Sequence, residues 1–333
     1  MPGLLATVLS QPTAVQTLRR AIASGHVHHA YLFDGPDGVG KERTAFGLAQ
    51  ALVCERRAQG SADACGLCGA CTRAVPRAGE RRPIHPDVVV IERGLYDPAA
   101  IGRRSPEAQD ISIDQVRALV LARAAFAPYE GRAKVFIVRR AEELSGSAAN
   151  ALLKTLEEPW ARTQFVLLSS SADSLLPTIR SRTQRVRFGA LPNEVVAQLL
   201  GERGIEPERA ADIARLAGGS MTAALALTDV EASAQRDRFL SRAMAALKAR
   251  DLEQALELAE EAKKGDKEAL VGHLEALAAA FGASARATVA APDRRAGVAA
   301  ARHALAVDAI RQIEANASTQ LAIEAMLLKM RAM

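Results

Sequence analysis

The sequence predicts an α/β domain built on a parallel sheet, followed by an all-helical C-terminal part. Three observations carry this. Before residue 190, short apolar runs alternate with helical patterns, and strand–helix alternation implies a parallel sheet covered on both faces. Thirteen of the fourteen prolines lie at or before Pro207 and only Pro292 follows, so short, turn-punctuated elements give way to long helices. Between the first predicted strand and the next helix lies a glycine-rich loop, GPDGVGKE (35–42).

In order along the chain, Gln11–Ala23 reads as a helix and AYLF (30–33) as the first strand. A helix over Arg43–Arg56 follows the glycine-rich loop. Residues 58–86 are rich in Cys, Arg, Gly and Pro and read as an insertion, ahead of the strand DVVVIE (87–92). An irregular stretch is expected over Gly94–Asp110. A helix over Asp114–Ala125, the strand KVFIV (134–138), a helix over Ser147–Glu158 and the strands QFVLL (164–168) and RVRF (185–188) complete the α/β part. Leu191–Asp229, with a Gly-Gly pair at 218–219, reads as a small helical unit. Beyond it, apolar residues recur at helical spacing: Phe239, Leu240, Ala243, Met244, Leu247, then Leu270, Leu274, Leu277, Ala278, Phe281. Leu305, Ala309, Ile310, Ile313 and Leu321, Ala325, Leu328 continue the pattern, which predicts the core of a helical bundle. No internal repeat is present.

The chain has 333 residues, 24% charged and 49% hydrophobic, the balance of a globular protein with a core that needs no covalent staples. Lys and Arg number 43 against 38 Asp and Glu, a net of +5, which permits nucleic-acid binding without arguing for it. There is no run of 18 apolar residues, so no membrane span is expected. The opening MPGLLATVLSQPT lacks a basic n-region, so no secretory signal is expected. Four cysteines without an export signal point to a reducing compartment, and a cytoplasmic protein is expected.

GPDGVGKE has the context that a phosphate-binding loop requires. Gly35, Gly38 and Gly40 free backbone N–H groups to surround phosphate oxygens, and Lys41 adds a cation at a helix N-terminus. The final position departs from the pattern: Glu42 stands where Ser or Thr would place a hydroxyl on magnesium. Hydrolysis also needs acidic residues at the end of a neighbouring strand. KVFIV is followed instead by Arg139 and Arg140, whose guanidinium groups would repel the metal. Glu142 and Glu143 read as a solvated face at the next turn. A buried Glu42 carboxylate needs a partner, so an ion pair with Arg139 or Arg140 in the place of the metal is expected.

Cys54, Cys65, Cys68 and Cys71 are all the cysteines of the chain. Cys-x2-Cys-x2-Cys presents three thiolates from two tight turns, and Cys54, at the end of the helix after the loop, supplies a fourth. Four thiolates suit tetrahedral, structural zinc. The competing iron–sulfur pattern wants its last ligand four residues on, before a proline, where Val75 stands before Pro76. The upstream cysteine therefore favours zinc. The nearby Arg73, Arg77, Arg81 and Arg82 read as a solvated basic loop.

KVFIVRRAEELSGSAANALLKTLEEP (134–159), with TIRSRT (178–183) and HHAYLFDGPDGVGK before it, resembles the bacterial clamp-loader subunits of the AAA+ superfamily, most of all those of the delta-prime type. The resemblance spans about residues 5–230 by motif. It implies an AAA+ domain with a RecA-like parallel sheet over 1–188, carrying a zinc module at 54–86. A small helical lid domain over 189–231 and an all-α collar domain over 232–333 would follow. It implies a non-hydrolysing subunit of a clamp loader, which helps to place the sliding clamp on primed DNA. An ATP-hydrolysing motor of the gamma/tau type is the alternative. The implied partners are the motor subunits, the clamp-opening delta subunit, primed DNA through the assembled ring and, indirectly, the clamp. Ser181 and Arg182 match the family's Ser-Arg-Cys motif, whose Arg reaches a neighbour's ATP as an arginine finger; Thr183 replaces the Cys. Thr222, in GGSMTAAL, stands where motor subunits carry an Arg. Zn2+ is the implied cofactor, with ATP weakly held or absent at Gly35, Gly38, Gly40 and Lys41. Ser170 and Ser171 lie at the sensor-1 position, and His26, His28 and His29 either flank an adenine pocket or cap the strand AYLF.

Overall fold

The computed structural model describes residues 3–102, 110–249, 251–288, 294–314 and 317–333. The chain forms two compact units, Met1–Ala224 and Leu225–Met333.

The first unit is built on five strands, β1 (Ala30–Asp34), β2 (Val88–Ile91), β3 (Lys134–Val138), β4 (Thr163–Ser169) and β5 (Gln184–Arg187), all parallel and ordered β2-β3-β4-β1-β5. Between and after them come α1 (Pro12–Ser24), α2 (Lys41–Val53), α3 (Gly69–Arg73), α4 (Ile113–Val116), α5 (Ala122–Ala124), α6 (Gly146–Glu157), α7 (Pro177–Arg180), α8 (Asn193–Gly201), α9 (Pro207–Leu216) and α10 (Met221–Thr228). The helix expected over Asp114–Ala125 is α4 and α5 joined by a π turn, Arg117–Leu121. Of the irregular stretch expected at 94–110, residues 103–109 lie outside the described residues.

The inner strands are buried on both faces, which explains their unbroken apolar runs. Phe136 on β3 and Phe165 on β4 stack with ring centroids 5.2 Å apart and pack with Leu152 and Leu156 of α6. Almost all of α2 is buried, and its backbone is closely approached at Gly47, where a Cβ would lie 2.7 Å from the Leu5 nitrogen. The helix is shorter at its end than Arg56, because Cys54 leaves helical geometry to turn its thiol towards the other three.

A loop at the amino end of β3 joins the cysteine-containing insertion to the sheet. The buried Asp87 carboxylate accepts N–H bonds from Tyr129 (2.6 Å), Glu130 (2.9 Å) and Gly131 (2.7 Å). His85 accepts the Asp87 N–H at Nδ1 (3.1 Å), which leaves its proton on Nε2, 3.8 Å from Glu130 Oε1. Arg73 of α3 pairs with Glu130 at 2.5 Å, so the basic segment is not simply solvated. Arg81 pairs with Glu92 at 2.5 Å and Arg82 lies over the Tyr96 ring at 4.6 Å.

The second unit consists of α11 (Val230–Lys248), α12 (Glu253–Lys264), α13 (Lys267–Thr288), α14 (Arg294–Glu314) and α15 (Thr319–Arg331). Phe239, Leu274, Leu277 and Ile313 are buried, as the helical stripes predict. The last stripe is on the other face: Ile323, Met326, Leu327 and Met330 form the core of α15, while Leu321 and Leu328 are exposed. That helix is apolar on both sides, so spacing alone picks neither face. Met244 is also exposed.

Burial is the main cause that lowers the His85 pKa below its usual 6.5, against the pull of Glu130 and Asp87 and with Arg73 adding to the lowering. The unfolded chain then binds a proton that the folded chain refuses, so stability is lost as pH falls from about 6.5 through the folded value. Urea unfolding at pH 7.5 and 5.5 checks this: His85→Gln is expected to shrink the difference between the two, although it also loses stability at both.

Candidate functional site: a closed glycine-rich loop and a thiol cluster

The turn Gly35–Gly40 connects the carboxyl end of β1 to α2. Gly35 and Gly38 have no substitute there. A Cβ on Gly35 would lie 2.2 Å from the Phe188 carbonyl oxygen, and one on Gly38 (φ +74°) 2.3 Å from the Thr222 nitrogen. The start of α10 thus sits directly on the loop, and Met221 N–H donates to the Gly38 carbonyl at 3.0 Å. Ser220 caps α10 by accepting the Ala223 N–H at 3.1 Å. Buried Gln11 ties the same loop down from behind. Its Nε2 donates to the carbonyls of Val39 (3.2 Å) and Gly189 (2.7 Å), and its Oε1 accepts the Gly189 N–H (3.1 Å).

Lys41 is turned into its own loop. Its ammonium donates to the carbonyls of Gly35 and Pro36, the latter at 2.8 Å, and pairs with Asp37 at 3.3 Å. An ammonium has three protons, and three oxygens here take them. A phosphate would have to displace these contacts to reach it.

Beside the loop, Arg139 holds two carboxylates. It pairs with Glu42 on the first turn of α2 and, at 2.7 Å, with Glu92 just after β2. The expected partnership of Glu42 is therefore with Arg139. Arg140 turns away with a left-handed backbone (φ +46°) and pairs with Glu143 at 3.3 Å. The Arg139 side chain is only 12% exposed and Glu92 17%, but Glu42 is 49% exposed, so the pair with Glu92 is enclosed while Glu42, at the first turn of its helix, is not the buried carboxylate expected. The network continues through Glu92 to Arg81 of the insertion. Sequence reasoning missed Glu92, Asp37 and Gln11. The strand register carried a signal for Glu92: Ile91 lies beside Val138, which brings the residues that follow together.

Glu142 and Glu143 do not form a solvated face. Glu142 accepts from the Ser170 hydroxyl (2.7 Å) and N–H (3.2 Å), and Glu143 is within 3.5 Å of Arg93. Ser170, which the resemblance puts at the sensor-1 position, is thus held by a carboxylate. Ser171 lies at the same strand end, its N–H on Ser169 Oγ at 3.1 Å. The histidines lie at the other end of β1 from the loop. His28 Nδ1 lies 2.7 Å from the Ala30 carbonyl oxygen, close enough to donate to it, and its ring stacks on His29 at 4.3 Å, so these two cap the strand.

Arg182 also lies at the amino ends of the strands, just ahead of β5. Its guanidinium pairs with Glu157 at 2.6 Å and donates to the Thr178 carbonyl at 3.0 Å. Ser181 Oγ donates to the same carbonyl at 3.1 Å. Of the neighbouring arginines, Arg180 pairs with Asp173 at 2.6 Å and Arg185 with Asp34 at 2.5 Å.

The four cysteines come together as their spacing implies. Their sulfurs all lie within 4.8 Å of one another, with Cys65–Cys71 at 3.9 Å and Cys54–Cys68 at 4.0 Å. Thiolates about 2.3 Å from one tetrahedral ion would be separated by about 3.8 Å, so the cluster fits a metal ion such as zinc. N–H groups of Leu67 and Cys68 aimed at its sulfur push the Cys65 thiol down to about 6, whereas burial pushes Cys71 up. A bound cation would deprotonate both.

The sequence profile described as "DNA polymerase III, delta subunit" matches residues 10–192, more than half of the chain. The chain belongs to this family. That bears out the resemblance to bacterial clamp-loader AAA+ subunits, delta-prime members among them. The DNA polymerase III subunit gamma/tau of Mycobacterium tuberculosis is 34% identical over 235 residues, which cover 68% of this chain and 37% of that relative. The delta' subunit of Pseudomonas aeruginosa is 42% identical over 156 residues, 46% of this chain and 41% of that one. The chain therefore spans well under half the length of these two relatives. A gamma-subunit-related protein of Thermotoga maritima aligns over 95% of this chain and 98% of its own with a TM-score of 0.46 and 18% identity.

In this DNA polymerase III family member, Arg139 is the cation that two carboxylates share. Removing it by Arg139→Ala leaves Glu92 with the exposed Arg81 alone and Glu42 to solvent, and a loss of about 1 kcal/mol in urea unfolding is expected. An unchanged midpoint would mean that solvent already neutralises the pair.

Proposed function

We propose that this chain is a non-hydrolysing subunit of a DNA polymerase clamp loader. It helps to load the sliding clamp onto primed DNA and supplies Arg182 to the ATP of a neighbouring subunit. The observation that carries the reading is the Glu42–Arg139–Glu92 network. A fixed guanidinium occupies the corner where a magnesium-dependent site would need hydroxyl and carboxylate ligands, and it engages the two carboxylates nearest to hand, Glu42 and Glu92. The engaged Lys41 and the contact of Met221 with Gly38 support weak or no ATP binding at Gly35–Lys41.

An arginine finger neutralises charge on the transferred phosphoryl group and acts in trans. Arg182, with Ser181 before it, is the residue that the family motif puts in this role. A subunit of this kind works only among different neighbours: the motor subunits, the delta subunit and, through the ring, primed DNA and the clamp. Residues 189–231 would form the lid domain and 232–333 the collar. The exposed Leu321 and Leu328 on α15 give such a collar apolar surface to cover. No helix among the described residues is long and apolar enough to cross a membrane, in keeping with a place in the cytoplasm.

The second reading, a motor of the gamma/tau type, is favoured by the 34% identity to a gamma/tau subunit. ATP turnover separates the two. The purified chain is expected to show none above a Lys41→Ala control. In an assembly with motor ATPases, Arg182→Ala is expected to slow the adjoining site by ~10³-fold. Turnover by the isolated chain that vanishes with Lys41→Ala would make it a motor.

The four thiols are read as a structural zinc site, which would pin the insertion to the end of α2 and contribute folding energy rather than chemistry. The purified chain is expected to carry one zinc per chain by elemental analysis. Chelation or Cys68→Ser should release it and lower the melting temperature. Iron in place of zinc would refute the assignment.

A further inference from the structure

We propose that Glu157 is a positioning residue that restrains Arg182, holding the guanidinium on its own subunit until a neighbouring nucleotide competes for it. This rests on the reading of Arg182 as a group that acts in trans. Glu157 is the last residue of α6, and its Oε1 lies 2.6 Å from an Arg182 terminal nitrogen. The other terminal nitrogen donates to the Thr178 carbonyl (3.0 Å) and Ser181 Oγ (3.3 Å). The guanidinium is therefore held by one charged and two neutral acceptors.

The charged acceptor is the one that matters for a phosphate. Carboxylate and phosphate bind a guanidinium through the same donors. An arginine already paired with a carboxylate also presents less net positive charge to an incoming phosphoryl group. The position of Glu157 adds to this, because a carboxylate at a helix C-terminus faces unpaired carbonyls and gains from a cation beside it.

Exposure makes the restraint reversible. Arg182 is 33% and Glu157 47% exposed, against 12% and 17% for Arg139 and Glu92. An exposed pair of this kind biases a population by about fivefold at most. That is enough to modulate an arginine finger and too little to block one. His29, with its pKa lowered mainly by burial, lies against the main chain of Leu156 and Arg182 beside the pair.

The test uses the full chain assembled with its motor ATPases. Glu157→Gln keeps the shape and removes the charge, and at a half-exposed position it should leave the melting curve unchanged. The kcat of ATP hydrolysis without DNA is expected to rise by about two- to fivefold with KM for ATP unaltered. The gain should shrink as salt is raised, because screening weakens the pair in the wild-type chain. It should vanish in Glu157→Gln combined with Arg182→Ala. Slower turnover by Arg182→Ala together with an unchanged or lower rate for Glu157→Gln would overturn this inference alone. No effect of Arg182→Ala would overturn the reading beneath it as well.

Discussion

The guanidinium of Arg139 is the charge around which the carboxyl end of the sheet is organised. Glu42 enters from the first turn of α2 and Glu92 from the end of β2, and neither has another cation as enclosed as Arg139. Two carboxylates that converge on one point repel each other. One planar cation with two free edges removes that conflict and joins three elements of the sheet layer. A Lys could not do the same: its point charge lacks the fork that reaches both partners at once. The glycine-rich loop depends on this arrangement because α2 begins where the network ends.

The loop itself is closed by similar means. Lys41 satisfies its protons on Gly35, Pro36 and Asp37, Gln11 braces Val39, and the start of α10 takes the Gly38 carbonyl. Each contact is modest, because an intramolecular hydrogen bond contributes only about 1 kcal/mol net. They are, however, mutually consistent. A ligand that entered would have to break several at once, and the absence of a Cβ at Gly38 leaves no slack between the loop and Thr222. Closure is a property of the whole loop, not of one substitution.

How much of this could be read from the sequence follows from the range of the interactions. The strands were legible because parallel strands buried on both faces are continuous apolar runs, and KVFIV coincides with β3 residue for residue. The cysteine cluster was legible because its spacing is local. The choice of Arg139 over Arg140 for Glu42 was not, since it turns on the left-handed backbone at Arg140. Glu92 and Gln11 were missed for another reason: their partners are distant in sequence, and only strand register or tertiary packing brings them near. On α15 the failure was different, since two apolar faces compete and only packing decides which is buried.

The two ends of the sheet also differ in what their charges can do. At the carboxyl end the arginine is enclosed and holds two carboxylates at once, Glu92 enclosed with it and Glu42 half exposed. At the amino end Arg182 shares a pair that water reaches from both sides. An exposed pair contributes about 1 kcal/mol or less, so a competing anion can open it at little cost. Both sites are arginine–carboxylate contacts of similar length; an enclosed guanidinium with two carboxylates is a strut, and a more exposed one with a single carboxylate is the more readily moved. The proposed action on a neighbour's phosphate draws on this contrast, a loop engaged with its own Lys41 at one end of the sheet and a releasable arginine at the other.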